Sequence, residues 1–430
     1  MTSFRTATEA AAGIRRGVLS ARDLTEQLFA RIDASAVNAV VATRRDYALE
    51  AASEADRAVA RGDDVGPLHG VPMTIKDAFA VAGLPTTWGE PAFAGCIADQ
   101  DALVVERLRA AGAIIVGKSN VHHLLADFGQ TVNPVYGRTV NPWDPARTPG
   151  GSSGGAAAAL ATGLSYLEYG SDLAGSIRIP AAYCGVYGLK PTAGTVPLRG
   201  FQPPGPPATP AREFPSAVGP LARSAADLRL ALNVTGGPET SPWELAPPRR
   251  RRLADFRAGV VLDDPGCPVT GEVGKVLSDA VDALAVAGVR IREGWPDDVD
   301  PVVQADAFGF QVELFFAGLE GRDLAGVADQ ERRRAALTAA WGRYFADVDV
   351  FLCPAVFTTA FPHDDRHRYD DQVFWIAQAS LPGLPAVSAP AGGALPVGLQ
   401  VVGPAHEDDT AITFAELAAD VVGGFVAPAG

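Results

Sequence analysis

Lysine is the scarcest charged residue of this 430-residue chain, with four copies, Lys76, Lys118, Lys190 and Lys275. Any lysine-dependent chemistry has few candidate positions. Cysteine is equally sparse: Cys96, Cys184, Cys267 and Cys353 are scattered, with no close pair. A chain this long needs no covalent staples, so a disulfide scaffold is excluded and buried free thiols in a reducing, cytoplasmic setting are expected. Six histidines leave little for a metal. His363 and His367 have ligand-like spacing, but the Asp-Asp-Arg between them and the nearby prolines oppose a helix, and no HExxH run is present; no metal or other cofactor is expected. His122 and His123 are adjacent, cannot both face one site, and read as surface or pocket-rim residues.

Positive charge is also short. Lysine and arginine total 36 against 50 acidic residues, and the net charge of −14 repels phosphate backbones and anionic membranes. Neither nucleic acid nor a membrane is an expected partner. The one basic run, 249–252, follows two prolines and reads as a solvated turn. No apolar stretch reaches the roughly 20 residues that span a bilayer; the longest, 156–167, reads as a buried helix. The N-terminus lacks an apolar core followed by a small-residue cleavage site, so no secretion signal is expected.

What is present is a globular composition, 47% hydrophobic and 20% charged. Ser20 with Asp23 reads as a helix cap before Leu24, Leu28 and Ile32, and a second helix runs from 46 to about 61. Residues 1–65 are thus a helical preamble. From 68 the pattern alternates: a strand at 71–75, a helix through Val104, Leu108 and Ala111, a strand at 113–117, and further on strands at 258–262 and 289–291 around a helix at 273–287. Ser224 with Asp227 caps another helix, and the prolines of 202–215 form an irregular excursion. No repeat or linker divides the chain, which predicts a single α/β domain over 1–430.

GAIIVGKS (112–119) matches the G-x4-G-K-S phosphate-loop pattern, but its Ala-Ile-Ile-Val is itself the strand and leaves no loop to cradle phosphate. Three other features carry chemistry only jointly: Lys76 at the end of an apolar strand, Ser152 and Ser153 in a glycine loop, and Ser176 before Ile-Arg-Ile, which reads as a strand. A serine hydroxyl needs a base, and no G-x-S-x-G element is present. A neutral lysine can serve; burial beside Val71, Met73 and Ile75 would lower its pKa. The residues alone do not choose among Lys76, Lys118 and Lys190.

GVPMTIKDAF (70–79), NPWDPARTPGGSSGGAAAAL (141–160) and YGSDLAGSIRIPAAYCGVYGLKPT (169–192) resemble the three core motifs of the amidase signature family. GLPTTWG (83–89), GPLARSAADL (219–228), GLPAVSAPAG (383–392) and LPVGLQVVGP (395–404) extend the resemblance, which is thin at 235–345. It implies an α/β fold with a twisted mixed central β-sheet flanked by helices. It also implies Ser176 as nucleophile, Ser152 as bridging serine after a cis peptide bond, and Lys76 as base. The backbone N–H groups of Leu173, Ala174, Gly175 and Ser176 would form the oxyanion hole, and Phe128, in the 126–129 stretch, an acyl-site wall. Asp172 and Arg178 read as braces of that turn.

Two departures bear on specificity. Ala174 replaces the usual glycine, which would be strained at positive φ, and His122 and His123 follow GKSN where an acidic residue is frequent. The resulting expectation is hydrolysis of a small or medium linear amide as the small-molecule partner, with a homodimer left open. Two alternatives remain: a glutaminase subunit of a tRNA-dependent amidotransferase, and a catalytically silent binding relative.

Overall fold

The computed structural model describes residues 4–127, 129–205, 216–319, 322–363, 365 and 369–429. Local capping shapes the start of the chain. Thr6 and Glu9 form a capping box on α1 (Ala7–Arg15), and Ser20 accepts the Asp23 N–H at the head of α2 (Ala21–Ala34). The preamble is not wholly helical. Its VVAT run, rich in β-branched residues, is strand β1 (Val40–Thr43), ahead of α3 (Arg45–Arg61).

β2 (Pro72–Lys76), α4 (Leu103–Ala110) and β3 (Ile114–Ser119) form a crossover unit, so β2 and β3 run parallel with Lys76 opposite Ser119. β1 closes this small sheet in the order β1-β3-β2. A hairpin of β4 (Val132–Asn133) and β5 (Gly137–Arg138) follows. The apolar stretch at 156–167 is helical only in part: α5 (Gly154–Ala161) stops at a turn where Gly163 takes φ 72°.

The large sheet begins with β6 (Glu168–Asp172), and the Ile-Arg-Ile segment expected as a strand instead opens helix α6 (Arg178–Cys184). The reason is local: the Asp172 carboxylate accepts the N–H groups of Ile177 and Arg178, which a helix start leaves unpaired. β7 (Tyr187–Lys190), β8 (Ala217–Ala222) and α7 (Ala225–Thr235) follow, then β9 (Arg257–Val260), α8 (Gly271–Val286) and β10 (Arg290–Glu293). After α9 (Pro301–Leu319) and α10 (Val327–Asp347) the chain returns through β11 (Val350–Pro354), α11 (Tyr369–Ser380), β12 (Ala386–Pro390), β13 (Gly398–Val402) and α12 (Asp408–Val422).

The order is β10-β9-β11-β13-β12-β7-β8-β6; β9 is parallel to both its neighbours and the remaining pairs are antiparallel, a mixed sheet as expected. Alternation along β12 sends Val387 and Ala389 into the core shared with α12, while α6 packs elsewhere on β7, β12 and β13. The basic run is a solvated turn only in its second half, where Arg251 and Arg252 are exposed. Arg249 forks onto Glu407 at 2.5 and 2.7 Å, and Arg250 joins Arg257 on Asp349. Cys184, Cys267 and Cys353 are buried free thiols, whereas Cys96 is only half-buried. Among the described residues no helix is long and apolar enough to cross a membrane.

Candidate active site

Lys76 ends β2 with its side chain wholly buried, donating to Ser152 Oγ at 2.7 Å and to Ser171 Oγ at 2.9 Å. Met73 and Ile75 belong to the main core, and strand alternation puts Ile75 on the opposite face from Lys76. Enclosure by the 150–153 loop and β6 replaces the neighbours expected from sequence. Burial holds Lys76 well below the ordinary lysine value, while the Asp172 charge pulls it back in part. Among the described residues no carboxylate pairs with it directly.

Ser152 follows a cis peptide bond from Gly151. The loop is pressed between segments: a Cβ on Gly151 would lie 1.8 Å from the Gln130 carbonyl oxygen, and one on Gly155 2.4 Å from the Asn120 nitrogen. His122 N–H donates to the Ser152 carbonyl at 3.3 Å, and Ser153 N–H to the Ser176 carbonyl at 3.2 Å. These bonds bring Ser176 beside the loop. Among the described residues no hydrogen bond joins the Ser176 and Ser152 hydroxyls, and Ser176 keeps 3% exposure.

Asp172 and Arg178 are both fully buried and paired at 2.8 Å, bracing the turn between them. Burial pushes the Asp172 carboxyl up, but Arg178 outweighs it and holds the group down at about 2. Arg178 continues to Ser380 at 2.6 Å and Gln400 at 2.7 Å, tying the turn to α11 and β13. The Gly175 N–H is committed to Asp172 at 2.9 Å. The N–H groups of Leu173, Ala174 and Ser176 have no protein acceptor among the described residues. Ala174 is not strained: positive φ falls on Gly175, at 92°, while Ala174 packs in an apolar cluster with Ile179, Phe308, Phe361 and Ile376.

Phe128, His367 and residues 206–215 of the proline-rich excursion lie outside the described residues. His122 and His123 are half-buried, and His123 pairs with Glu90 at 2.7 Å. The phosphate-loop look-alike is strand through Ser119, with Lys118 buried 3.6 Å from Asp77. No cluster of three metal-ligating side chains occurs among the described residues. Sequence reasoning missed Ser171, whose one signal was a serine beside Asp172 at the end of a buried strand.

A buried lysine on a serine, beside a second serine that follows a capped turn, can activate a hydroxyl and stabilise an oxyanion. The model of the Amidase family matches residues 23–320 and 308–412, most of the chain. The chain belongs to the amidase signature family. It is thereby an amide hydrolase by class. An indoleacetamide hydrolase of Bradyrhizobium diazoefficiens is 35% identical over 94% of this chain and 84% of its own length. A glutamyl-tRNA(Gln) amidotransferase component from Carboxydothermus hydrogenoformans is 31% identical over 96% of each chain. Among solved structures, the peptide amidase of Stenotrophomonas maltophilia superposes with a TM-score of 0.82 at 27% identity, covering 99% of this chain and 98% of that one.

Proposed function

We propose that this amidase signature member is a free-standing serine amidase cleaving a small or medium linear amide through an acyl-enzyme on Ser176. The observation that carries the reading is the uncharged-favouring burial of Lys76 at 2.7 Å from Ser152 Oγ. Neutral Lys76 takes the Ser152 proton as Ser152 takes that of Ser176, which attacks the carbonyl carbon. Catalytic hydrogen bonds are often long before substrate binds, and the Ser176–Ser152 contact closes in the complex. The N–H groups of Leu173, Ala174 and Ser176 face the developing oxyanion; Gly175 contributes by anchoring the turn to Asp172 instead. The relay returns the proton to the leaving amine, and water then releases the acid.

We read residues 1–430 as one domain, because Thr192 binds Asp408 and Asp227 caps α1 across its length. Free thiols and the charge of −14 support a cytoplasmic enzyme without a nucleic-acid partner. The second reading, a glutaminase component working in a complex, is favoured by the end-to-end match to the amidotransferase chain. One experiment addresses both. Purified alone, the enzyme should hydrolyse members of an amide panel graded by acyl size, and Ser176→Ala should lose both turnover and fluorophosphonate labelling. Labelling that persists at full rate in the variant refutes Ser176; turnover that requires a co-purifying protein selects the second reading.

A further inference from the structure

Glu168 opens β6 and is fully buried at the seam between the two sheets, where β2 and β6 share no ladder. One carboxyl oxygen meets the Thr74 hydroxyl, and the other accepts from Ser119 Oγ at 3.2 Å. Thr74 lies two residues before Lys76 on β2, and Ser119 is the β3 residue opposite Lys76. Further along its own strand lie Ser171, the second acceptor of Lys76, and Asp172, anchor of the 173–176 turn. The backbone offers little else across this seam: Tyr166 N–H reaches the Pro72 carbonyl at 3.4 Å, and Thr74 N–H a serine side chain, Ser165, at 2.9 Å.

We infer that Glu168 is a positioning residue for the relay, clamping both flanks of Lys76 to the strand that carries Ser171 and the Asp172-anchored turn. The inference rests on the reading of Lys76 as base. The clamp works as the neutral acid. The hydroxyls of Thr74 and Ser119 and the N–H of Tyr169 bear on the carboxyl, no charged group does among the described residues, and the overlying α5 offers only glycine, alanine and leucine. Burial therefore pushes Glu168 up to about 8. Protonated, it has one donor and spare acceptors for two hydroxyls; ionised, it is an uncompensated buried charge that loosens the seam.

The test is the pH dependence of kcat and kcat/KM, with fluorophosphonate labelling, for wild type, Glu168→Ala, Glu168→Gln and Lys76→Ala. Glu168→Ala should lower kcat about tenfold to a hundredfold at pH 7 with little change in KM, as a displaced catalytic group does. Glu168→Gln, a neutral side chain that both donates and accepts, should restore most of that loss. It should also remove the decline in kcat expected of wild type above a pH of about 8, where Glu168 ionises. A purely structural role would lower melting temperature without moving the profile. A Gln variant that keeps the alkaline decline, or a folded Ala variant with wild-type kcat, overturns the inference. The reading beneath it fails separately: Lys76→Ala labelled at the wild-type rate refutes the base, whereas slow labelling of Lys76→Ala with wild-type labelling of Glu168→Ala refutes only the clamp.

Discussion

Lys76 and Lys118 are both wholly buried on neighbouring strands, yet their company differs. Lys118 lies 3.6 Å from Asp77 and donates to the Phe79 carbonyl at 2.5 Å; burial lowers it, Asp77 restores part, and it settles at about 8. Lys76 touches two serines instead. Because the neutral form is the active one, activity should rise with pH through the lowered value of Lys76. Lys76→Ala should cost about 10²- to 10⁴-fold in kcat/KM and abolish that acidic limb. Lys118→Ala should instead strand Asp77 in the interior, lowering stability by about 3–5 kcal/mol while the profile keeps its shape. Kinetics across pH beside thermal unfolding decides; Lys118→Ala losing the limb while Lys76→Ala keeps it would reverse the assignment. At this scale Lys76 and Ser152 were legible through motif resemblance. The commitment of the Gly175 N–H was not, because letters do not show where a backbone donor goes.

Elements were legible where caps and periodicity agreed, as at α2 and α7, whose Ser20 and Ser224 caps stand as expected, and α3 was legible from its composition without a side-chain cap. They were misread where a single side chain just upstream decides the local state: Ile177 to Ile179 looks extended until Asp172 caps it into α6. β1 escaped notice because its four residues sit between two strong helices. The same dependence on neighbours sets the position of α5. In its first turn Gly154 faces the Thr131 and Pro149 side chains, but Gly155 meets rigid backbone, since a Cβ there would fall 2.4 to 2.8 Å from the Asn120 backbone. Gly155→Ala should therefore push α5 and Ser152 away from Lys76. A stability loss of about 1–3 kcal/mol should accompany a fall in kcat larger than the lowered melting temperature explains. Wild-type kcat in this variant would show that the loop does not depend on α5 for its register.

The whole molecule is held by ties between distant segments that no local pattern reveals. Asp227 of α7 accepts from Ala7 and Thr8 at 2.9 and 2.8 Å, and Arg229 reaches Asp409 and Glu416 on α12. Lys190 lies within this frame, fully buried on β7, with Nζ donating only to the Pro191 carbonyl at 3.0 Å among the described residues. Burial and then Arg178 lower it, Asp172 and Asp408 raise it, and the outcome is about 7 against an ordinary 10.5. The sign follows from linkage: above 10.5 neither state binds the proton. As pH falls toward 7 the unfolded chain binds it and the folded one does not, so stability drops; below about 7 both bind it and the loss is complete. Lys190→Met should remove this slope. Its melting temperature relative to wild type should climb as pH is lowered from 10 toward about 7 and then level off, with a total on the order of a few kcal/mol. Slopes from Glu168, Lys118 and the surface acids are common to both proteins and cancel in the difference. A difference that stays constant across pH would mean that Lys190 remains charged in the fold, held by Asp172 and Asp408.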